Sequence, residues 1–450
     1  METGRLSEKT AVDDAPLSWF HLRITAFSAG GILCDGYMLG IIGPALSHYS
    51  SQRHLSPVWT GLLGSSALVG LFIGSLLFGW LTDRVGRRAI YTLDLAVCVV
   101  GSLLHLFVTE VAWVLVLRLV LGIAIGADYA ISPSLLAEFA PRRYRGGLLA
   151  AISAIWSIGF FASYLVGSLL SGAGPNAWQW MLASAAVPAF LVSLMRIGCP
   201  ESPRWLLQQG RADEALRVVR DYIDPSATLQ DLDDRDQARP GRFRVLFRRD
   251  YWPRLAVGGV YWFSQVVPLF AILTFLPSVL SSLGITAAAV SEVGSNLFLL
   301  IGSTAGIFAI FYLGRRPFIL ASTAALVVLA VVLGLWRTAP GPWALTLLGL
   351  FILIIGCAQV VTSVYPSEIF PTEVRASGVG LCTSISRIGA AAGTFLLPLA
   401  ISTVGIHTTI LITAAILAAG LAVAWRWAPE TSDQTLGQAS NDAYGTQKEA

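Results

Sequence analysis

Twelve apolar runs, six before a polar break and six after it, decide what this 450-residue chain can fold into. They fall at about 22–46, 58–82, 89–108, 113–138, 146–170 and 177–197, then at about 254–282, 290–313, 316–337, 342–366, 376–402 and 406–427. Most reach the roughly 20 apolar residues needed to cross a hydrocarbon core about 30 Å thick. Lipid offers no hydrogen bonds, so a spanning segment must be a helix or part of a closed barrel. These runs are continuous and lack the alternation of barrel strands, which leaves helices. Charged residues make up 13% of the chain, whereas soluble domains carry about 25%. A water-facing surface cannot be covered with so few. A soluble enzyme, a disordered chain and a nucleic-acid binder are thereby excluded. The expected fold is an all-α membrane protein with twelve transmembrane helices in two six-helix, pseudo-symmetric bundles.

The organisation that follows is a cytoplasmic tail over 1–21, a first bundle over 22–198, a cytoplasmic linker over 199–253, a second bundle over 254–427 and a cytoplasmic tail over 428–450. The polar start lacks the basic and apolar layout of a cleaved signal, so the first helix is expected to be retained. In the linker, Gly210–Asp224 has helical spacing with one apolar face and predicts a short surface helix. The linker is too short to bury a core of its own.

Arginine placement sets the orientation. Arg84, Arg87 and Arg88 follow the second run, Arg142, Arg143 and Arg145 the fourth, Arg315 and Arg316 the eighth, and Arg375 the tenth, while the opposite loops hold only Arg53 and Arg337. Basic loops stay on the cytoplasmic side, so both termini and the linker are expected there, in a cytoplasmic (inner) membrane. The halves also repeat. Glu138-x-x-Pro141-x-x-x-Arg145 recurs as Glu368-x-x-Pro371-x-x-x-Arg375 after 230 residues, Gly86-Arg87-Arg88 as Gly314-Arg315-Arg316 after 228, and Pro200-Glu201-Ser202 as Pro429-Glu430-Thr431 after 229. Parallel repeats of six helices imply a binding site between them near the midplane and transport by alternating access.

At this point the residues become recognisable. Gly79-Trp-Leu-Thr-Asp83-Arg84-Val-Gly86-Arg87-Arg88 resembles the signature loop between helices 2 and 3 of the major facilitator superfamily. Arg118-x-x-x-Gly122, the two Glu-x-x-Pro-x-x-x-Arg boxes and Pro200-Glu-Ser-Pro-Arg-Trp205 resemble its sugar-porter-like branch. Gly126-Ala-Asp128-Tyr129 is similar to a motif of phosphate:proton and bacterial metabolite:proton symporters, and Asp35-Gly-Tyr to the helix 1 motif of aromatic-acid and other metabolite symporters. The departures are Met38, where such helix 1 motifs often carry a second acid, and a seventh run without the acid of phosphate symporters. The fifth run lacks the Gly-Pro motif of drug:proton antiporters.

A charge at the bilayer centre costs at least about 2.5–3.5 kcal/mol on insertion scales, so each one needs a reason. Asp35 lies roughly 20 Å along its helix from the cytoplasmic end, and Arg118 roughly 8 Å along its own from the other face. At such matching depths the arginine can compete with a proton for the carboxylate. Asp35 is therefore the expected proton carrier and Arg118 its modulator; the alternative is a fixed structural pair. Asp128, roughly 15 Å closer to the cytoplasm than Arg118, either relays the proton, binds substrate, or is a carboxylate capped by Ser132. Arg387 resembles the helix 11 arginine of organic anion transporters, and its guanidinium fork suits a carboxylate. It either binds an anionic substrate, bridges to Asp35 or Asp128, or snorkels toward the cytoplasm. Trp262, Gln265, Asn296, Gln359, Tyr365 and, next to Asp128, Tyr129 complete the candidate substrate contacts, an aromatic wall with sparse amides fitting a small organic solute. Glu292 reads as an interfacial charge.

The loop residues read as gating parts. Asp83 is placed for the N-terminus of a neighbouring helix, where the dipole favours a carboxylate. Arg84, Arg87, Glu138, Arg145, Glu201, Arg204, Glu368 and Arg375 are expected to form salt bridges that close the inner gate and break when it opens. The isolated Cys34, Cys98, Cys199, Cys357 and Cys382 and the scattered His21, His48, His54, His105 and His407 offer neither a metal site, a disulfide framework nor a nucleophile–base pair. The reading is a proton-coupled symporter importing a small organic solute such as a carboxylate. It works as a monomer in the lipid bilayer with no cofactor beyond the coupling proton and no nucleic-acid partner, and it is not an enzyme. Alternatives are a sugar or polyol transporter, proton-coupled efflux, and a nutrient receptor without flux.

Overall fold

The computed structural model describes residues 15–229, 246–248, 251–285, 288–370 and 374–431. Among the described residues, twelve spans run through the molecule. The first half holds α1 (Trp19–Gly40) with α2 (Ile42–Arg53), α3 (Pro57–Val85), α4 (Arg87–Leu104), α5 (Val111–Phe139), α6 (Arg142–Leu170), and α7 (Ala177–Ser184) with α8 (Ala186–Met195). The linker contributes α9 (Pro203–Gln208) and α10 (Ala212–Tyr222). The second half holds α11 (Trp252–Leu255), α12 (Trp262–Thr274) and α13 (Leu276–Ser282) as one span, then α14 (Ala288–Leu313), α15 (Arg315–Leu335), α16 (Gly341–Ile369), α17 (Arg375–Val404) and α18 (Ile406–Trp427). Eleven spans are long and apolar enough to cross a bilayer on composition alone. The exception is α4, whose 18 residues include Arg87, Arg88 and Asp94.

The breaks within spans have a local cause. A proline cannot donate to the carbonyl four residues back, and its ring crowds that carbonyl. Pro44 stands four residues after Gly40, where α1 ends, and Pro188 four after Ser184, where α7 ends. Pro277 opens α13 just past the end of α12. Between α11 and α12 the backbone widens into π turns over Ala256–Tyr261.

Polarity is inverted relative to a soluble protein. Asp35, Asp94, Arg118, Asp128, Arg196 and Arg387 are buried, while Leu169, Val187, Ile197 and Phe308 face outward and are more than half exposed. Lipid solvates the second group and could not solvate the first. Small residues let the helices close without a hydrophobic drive between them. On α3 and α5 these are Gly70, Gly74, Gly122 and Gly126: a Cβ on Gly74 would stand 2.1 Å from the Ile123 carbonyl oxygen, and one on Gly122 2.1 Å from that of Ala67. The pattern returns on α14 and α16, where a Cβ on Gly302 would stand 2.0 Å from the Leu353 carbonyl and one on Gly356 2.7 Å from that of Leu299.

The two halves meet where α3 packs on α17 and α6 on α14. The contacts that join them lie mid-span or toward the end away from the linker. Gly61 abuts the Phe395 carbonyl, Gly64 the Phe275 ring, and the Tyr164 hydroxyl donates to the Leu273 carbonyl. The Ser157 and Ser303 hydroxyls are 2.7 Å apart. At that end a polar cavity of about 360 Å³ is lined by Ser47, Ser50, Thr60, Ser278 and Glu292, among others. The linker helices dock under the first half: Ala215 and Val219 of α10 join Trp205 and Leu206 in a small core, and the Tyr222 ring lies 4.8 Å from that of Phe20.

Candidate functional site

Four charged side chains converge inside the first half. Asp94 lies on α4, Asp128 on α5 and Asp35 on α1, while Arg196 caps α8. The Arg196 guanidinium donates through Nη2 to Asp128 Oδ1 at 2.6 Å and through Nη1 to both oxygens of Asp94 at 3.4 Å. It also reaches the carbonyls of Tyr91, at 3.0 Å, and Phe27, at 3.4 Å, and its carbon stands 3.3 Å over the Tyr91 ring. Ser132 donates to Asp128 Oδ2 at 3.0 Å, and the Leu95 amide to Asp94 Oδ1 at 2.6 Å. Gly31 makes room for the cluster, since a Cβ there would meet Arg196 Nη2 at 1.9 Å and Asp128 Oδ2 at 2.3 Å. Asp128 thus has both its capping serine and a charge partner. Neither Asp94 nor Arg196 was singled out by sequence reasoning. Asp94 was visible as the one acid in its run, but Arg196 reads as a helix-end arginine of the cytoplasmic face.

Asp35 and Arg118 do not pair. Arg118 Nη1 donates to the Met38 carbonyl at 2.9 Å, and its Nε and Nη2 have no partner among the described residues. Asp35 Oδ2 is likewise without a donor, and the charges that act on Asp35 are those of Asp128, Asp94 and Arg196. The expected couple is corrected for this conformation. Equal depth along two helices leaves the angle around each axis undetermined, and Arg118 points at the turn beyond Asp35.

Arg387 stands at the junction of the halves. Its guanidinium carbon is 5.3 Å from the centroid of Tyr129, on α5, and 5.8 Å from that of Phe270, on α12. Both distances are within reach of cation–π attraction. Phe270 meets Trp156 of α6 edge-on at 6.0 Å, and Trp156 lies 5.1 Å from Phe160. Nε and Nη1 of Arg387 have no partner among the described residues. No carboxylate among the described residues bridges Arg387, and Asp128 is engaged by Arg196. The expected bridge from Arg387 to Asp35 or Asp128 is therefore not formed here.

The remaining candidates divide. Gln359 Oε1 accepts from Thr362 at 3.1 Å and Asn296 Nδ2 donates to the Glu292 carbonyl at 2.9 Å, which leaves Gln359 Nε2 and Asn296 Oδ1 without a partner among the described residues. Trp262 is buried, and its indole N–H has no partner among the described residues. Gln265 donates to Thr323 Oγ1 at 3.2 Å, so it faces α15 rather than the other half. Tyr365 donates to the Pro429 carbonyl at 2.7 Å, which ties it to the chain beyond α18 and corrects its placement in the substrate site. Glu292 lines the cavity at the end away from the linker.

The loop motifs form ties within each half. Gly86, at φ 102°, lets the chain turn from α3 into α4, and Gly314, at φ 76°, does so from α14 into α15. Glu201 accepts from the backbone amides of Arg87 at 3.0 Å and Arg88 at 3.2 Å; Glu430 accepts from those of Arg315 at 2.9 Å and Arg316 at 3.0 Å. Each glutamate caps a helix N-terminus, where unsatisfied amides and the dipole favour it. The arginines complete the ties, Arg87 to Glu138 at 2.8 Å and Arg315 to Glu368 at 3.1 Å. These bonds are made within a half while the halves touch at the far end, so Arg87, Glu138, Glu201 and Glu368 of the expected gate residues form intra-half clamps here rather than a bridge across the gate. Arg84 is exposed on the last turn of α3. The side chains of Asp83, Arg145, Arg204 and Arg375 lie outside the described residues.

A family model described as "Sugar (and other) transporter" matches residues 26–443. The chain belongs to that family. It is 40% identical over 433 residues to the inner membrane metabolite transport protein YgcS of Escherichia coli K12, covering 96% of each chain. It is 38% identical over 434 residues to the putative metabolite transport protein YaaU of the same organism, covering 95% of this chain and 96% of that one. In three dimensions it resembles the partially occluded, inward open xylose transporter XylE from E. coli, with a TM-score of 0.80 at 21% identity over 93% of this chain and all of that one. The fold is that of the major facilitator superfamily, and this member of the sugar and metabolite transporters is a multi-pass membrane transport protein rather than an enzyme.

Proposed function

We propose that the protein imports a small organic anion, in the first instance a carboxylate, across the cytoplasmic membrane in symport with a proton, by alternating access and as a monomer. One observation carries the choice of substrate: Arg387 is buried between the halves against Tyr129 and Phe270, with two N–H groups unpartnered and no carboxylate of the described protein on it. Leaving buried donors unsatisfied costs about 1–3 kcal/mol each, and a carboxylate would pair with one edge of the guanidinium, taking Nη2 together with Nε or with Nη1. Gln359 and Asn296 offer further polar atoms that are unpartnered among the described residues. Asp35 supplies an acid with no ion-pair partner among the described residues, suited to taking up and releasing the proton, and needs no other cofactor. The arginine-rich loops support a cytoplasmic linker and cytoplasmic termini, and on that reading contact at the opposite end makes this an inward-facing arrangement. A second reading, a neutral sugar or polyol as substrate, is favoured by the likeness to XylE, a proton:xylose symporter.

Thermal unfolding of the purified protein against carboxylates, phosphates, sugars, polyols and cations separates the two. A true ligand at a hundredfold excess over its Kd adds about 2.7 kcal/mol of stability. Stabilisation by a carboxylate, lost in Arg387→Ala, is the expected result. Equal stabilisation of both proteins by a sugar makes Arg387 structural and installs the second reading. With the substrate found, Asp35→Asn in proteoliposomes should exchange it without accumulating it against a gradient; accumulation that survives removes Asp35 from the coupling.

A further inference from the structure

The Asp94–Arg196–Asp128 cluster has one base for two acids. All three side chains are 2% exposed, so solvent does not balance the difference. Asp94 and Asp128 are held on the two terminal nitrogens of one guanidinium, a closeness that two ionised carboxylates would resist. Their engagement by Arg196 is unequal: Asp128 has a single short bond of 2.6 Å, Asp94 a forked contact at 3.4 Å to both oxygens. Asp94 is thus the acid whose negative charge is less well matched. The groups facing the pair are Cys34 and Asp35 from α1, Tyr91 and Cys98 from α4, Ser132 from α5 and Arg196. Arg196 is the one base among them, and Asp35 adds a further acid.

We propose that Asp94 and Asp128 form a proton-binding site, holding one proton between them on the Asp94 side so that the remaining negative charge is matched by Arg196. The proton enters as an O–H donated from one carboxyl to the other and leaves as the pair separates, at which point Arg196 must hold two carboxylates. Because Arg196 ends the sixth span and its partners sit on α4 and α5, occupancy of the site sets how tightly these helices are gathered about Gly31 of α1. Its part in transport rests on the proton-symport reading above. Its existence does not.

The test is infrared spectroscopy of the purified protein in proteoliposomes, in water and in deuterated water, across a pH titration. It reads the carbonyl stretch of a protonated buried carboxyl, and no substrate is needed. Wild-type protein should show such a band at neutral pH, shifted by deuteration. Both Asp94→Asn and Asp128→Asn, each nearly isosteric, should lose it, because the acid that remains is ionised against Arg196. Asp35→Asn should keep it. A signal lost only in Asp35→Asn overturns the proposal, as does its absence from wild type or its being undiminished in Asp94→Asn and Asp128→Asn; a component that Asp35→Asn alone removes belongs to Asp35. Size-exclusion elution and helical content identify any variant that fails to fold, and Asp94→Glu, which should retain a band at a shifted position, then serves in its place. Coupling is read separately, as alkalinisation of the medium when substrate enters. Transport without alkalinisation would remove proton symport and leave the band assignment intact.

Discussion

At the scale of the residue, the membrane interior makes each charge answerable to a partner, and the partners were only partly legible in sequence. Depth can be read from helix length, which is why Asp35, Arg118 and Asp128 stood out. Azimuth cannot, and so Arg118 meets the Met38 carbonyl while Asp35 Oδ2 has no partner among the described residues. Arg387 was legible as an arginine with no acid in its own helix, and its ring partners Tyr129 and Phe270 come from two other spans. Arg196 was hidden by its surroundings, since an arginine just past an apolar run looks like a charge reaching for the interface. Its buried position predicts a penalty. Arg196→Gln strands two acids, and breaking a buried ion pair costs about 3–5 kcal/mol. The unfolding midpoint in detergent should fall sharply in Arg196→Gln and partly recover in Arg196→Gln with Asp128→Asn. A double variant no more stable than the single one would mean that charge balance is not what Arg196 provides.

At the scale of the element, close approach explains more than hydropathy. The twelve runs were readable, but where they break was settled by proline: Pro44, Pro188 and Pro277 each accompany an interruption that an apolar count passes over. The span that composition alone misses, α4, is the one that carries Asp94 into the charge cluster. The paired glycines of α3 with α5 and of α14 with α16 carried a small-residue spacing that becomes meaningful only when the facing helix is known. Gly→Ala inside an exposed helix gains up to about 1 kcal/mol, whereas overpacking a close contact costs about 1–3 kcal/mol. At Gly122 an added Cβ would stand 2.1 Å from the Ala67 carbonyl, while at Gly147 nothing lies within 4 Å. Gly122→Ala should therefore lower the unfolding midpoint and Gly147→Ala should leave it level or raise it. The same sign at both positions would contradict the packing.

At the scale of the whole molecule, the motif offsets of 228 to 230 residues foretold the two-fold plan, yet not which end of the halves is closed. That depends on contacts such as Gly61 against Phe395 and Tyr164 against Leu273, which no single helix encodes. Gly61→Leu should wedge α3 away from α17 at the end remote from the linker and favour the opposite opening. Thr274, 3% exposed at that seam, reports it: on a background without the five native cysteines, Thr274→Cys should react several-fold faster with a membrane-impermeant maleimide once Gly61→Leu is added. An unchanged rate would mean that this seam does not hold the halves. The caps formed by Glu201 and Glu430 carry a consequence for how the protein is made. Multidomain chains tend to fold from the N-terminus as they leave the ribosome. Glu201 follows its sixth span directly, so the first bundle can fasten α4 while the second is still being translated. Glu430 emerges only after α18, so α15 waits with its leading amides bare through the insertion of three further spans. Two clamps alike in space are thus unlike in time, and the second bundle is the one exposed longest to the machinery that guards unfinished chains.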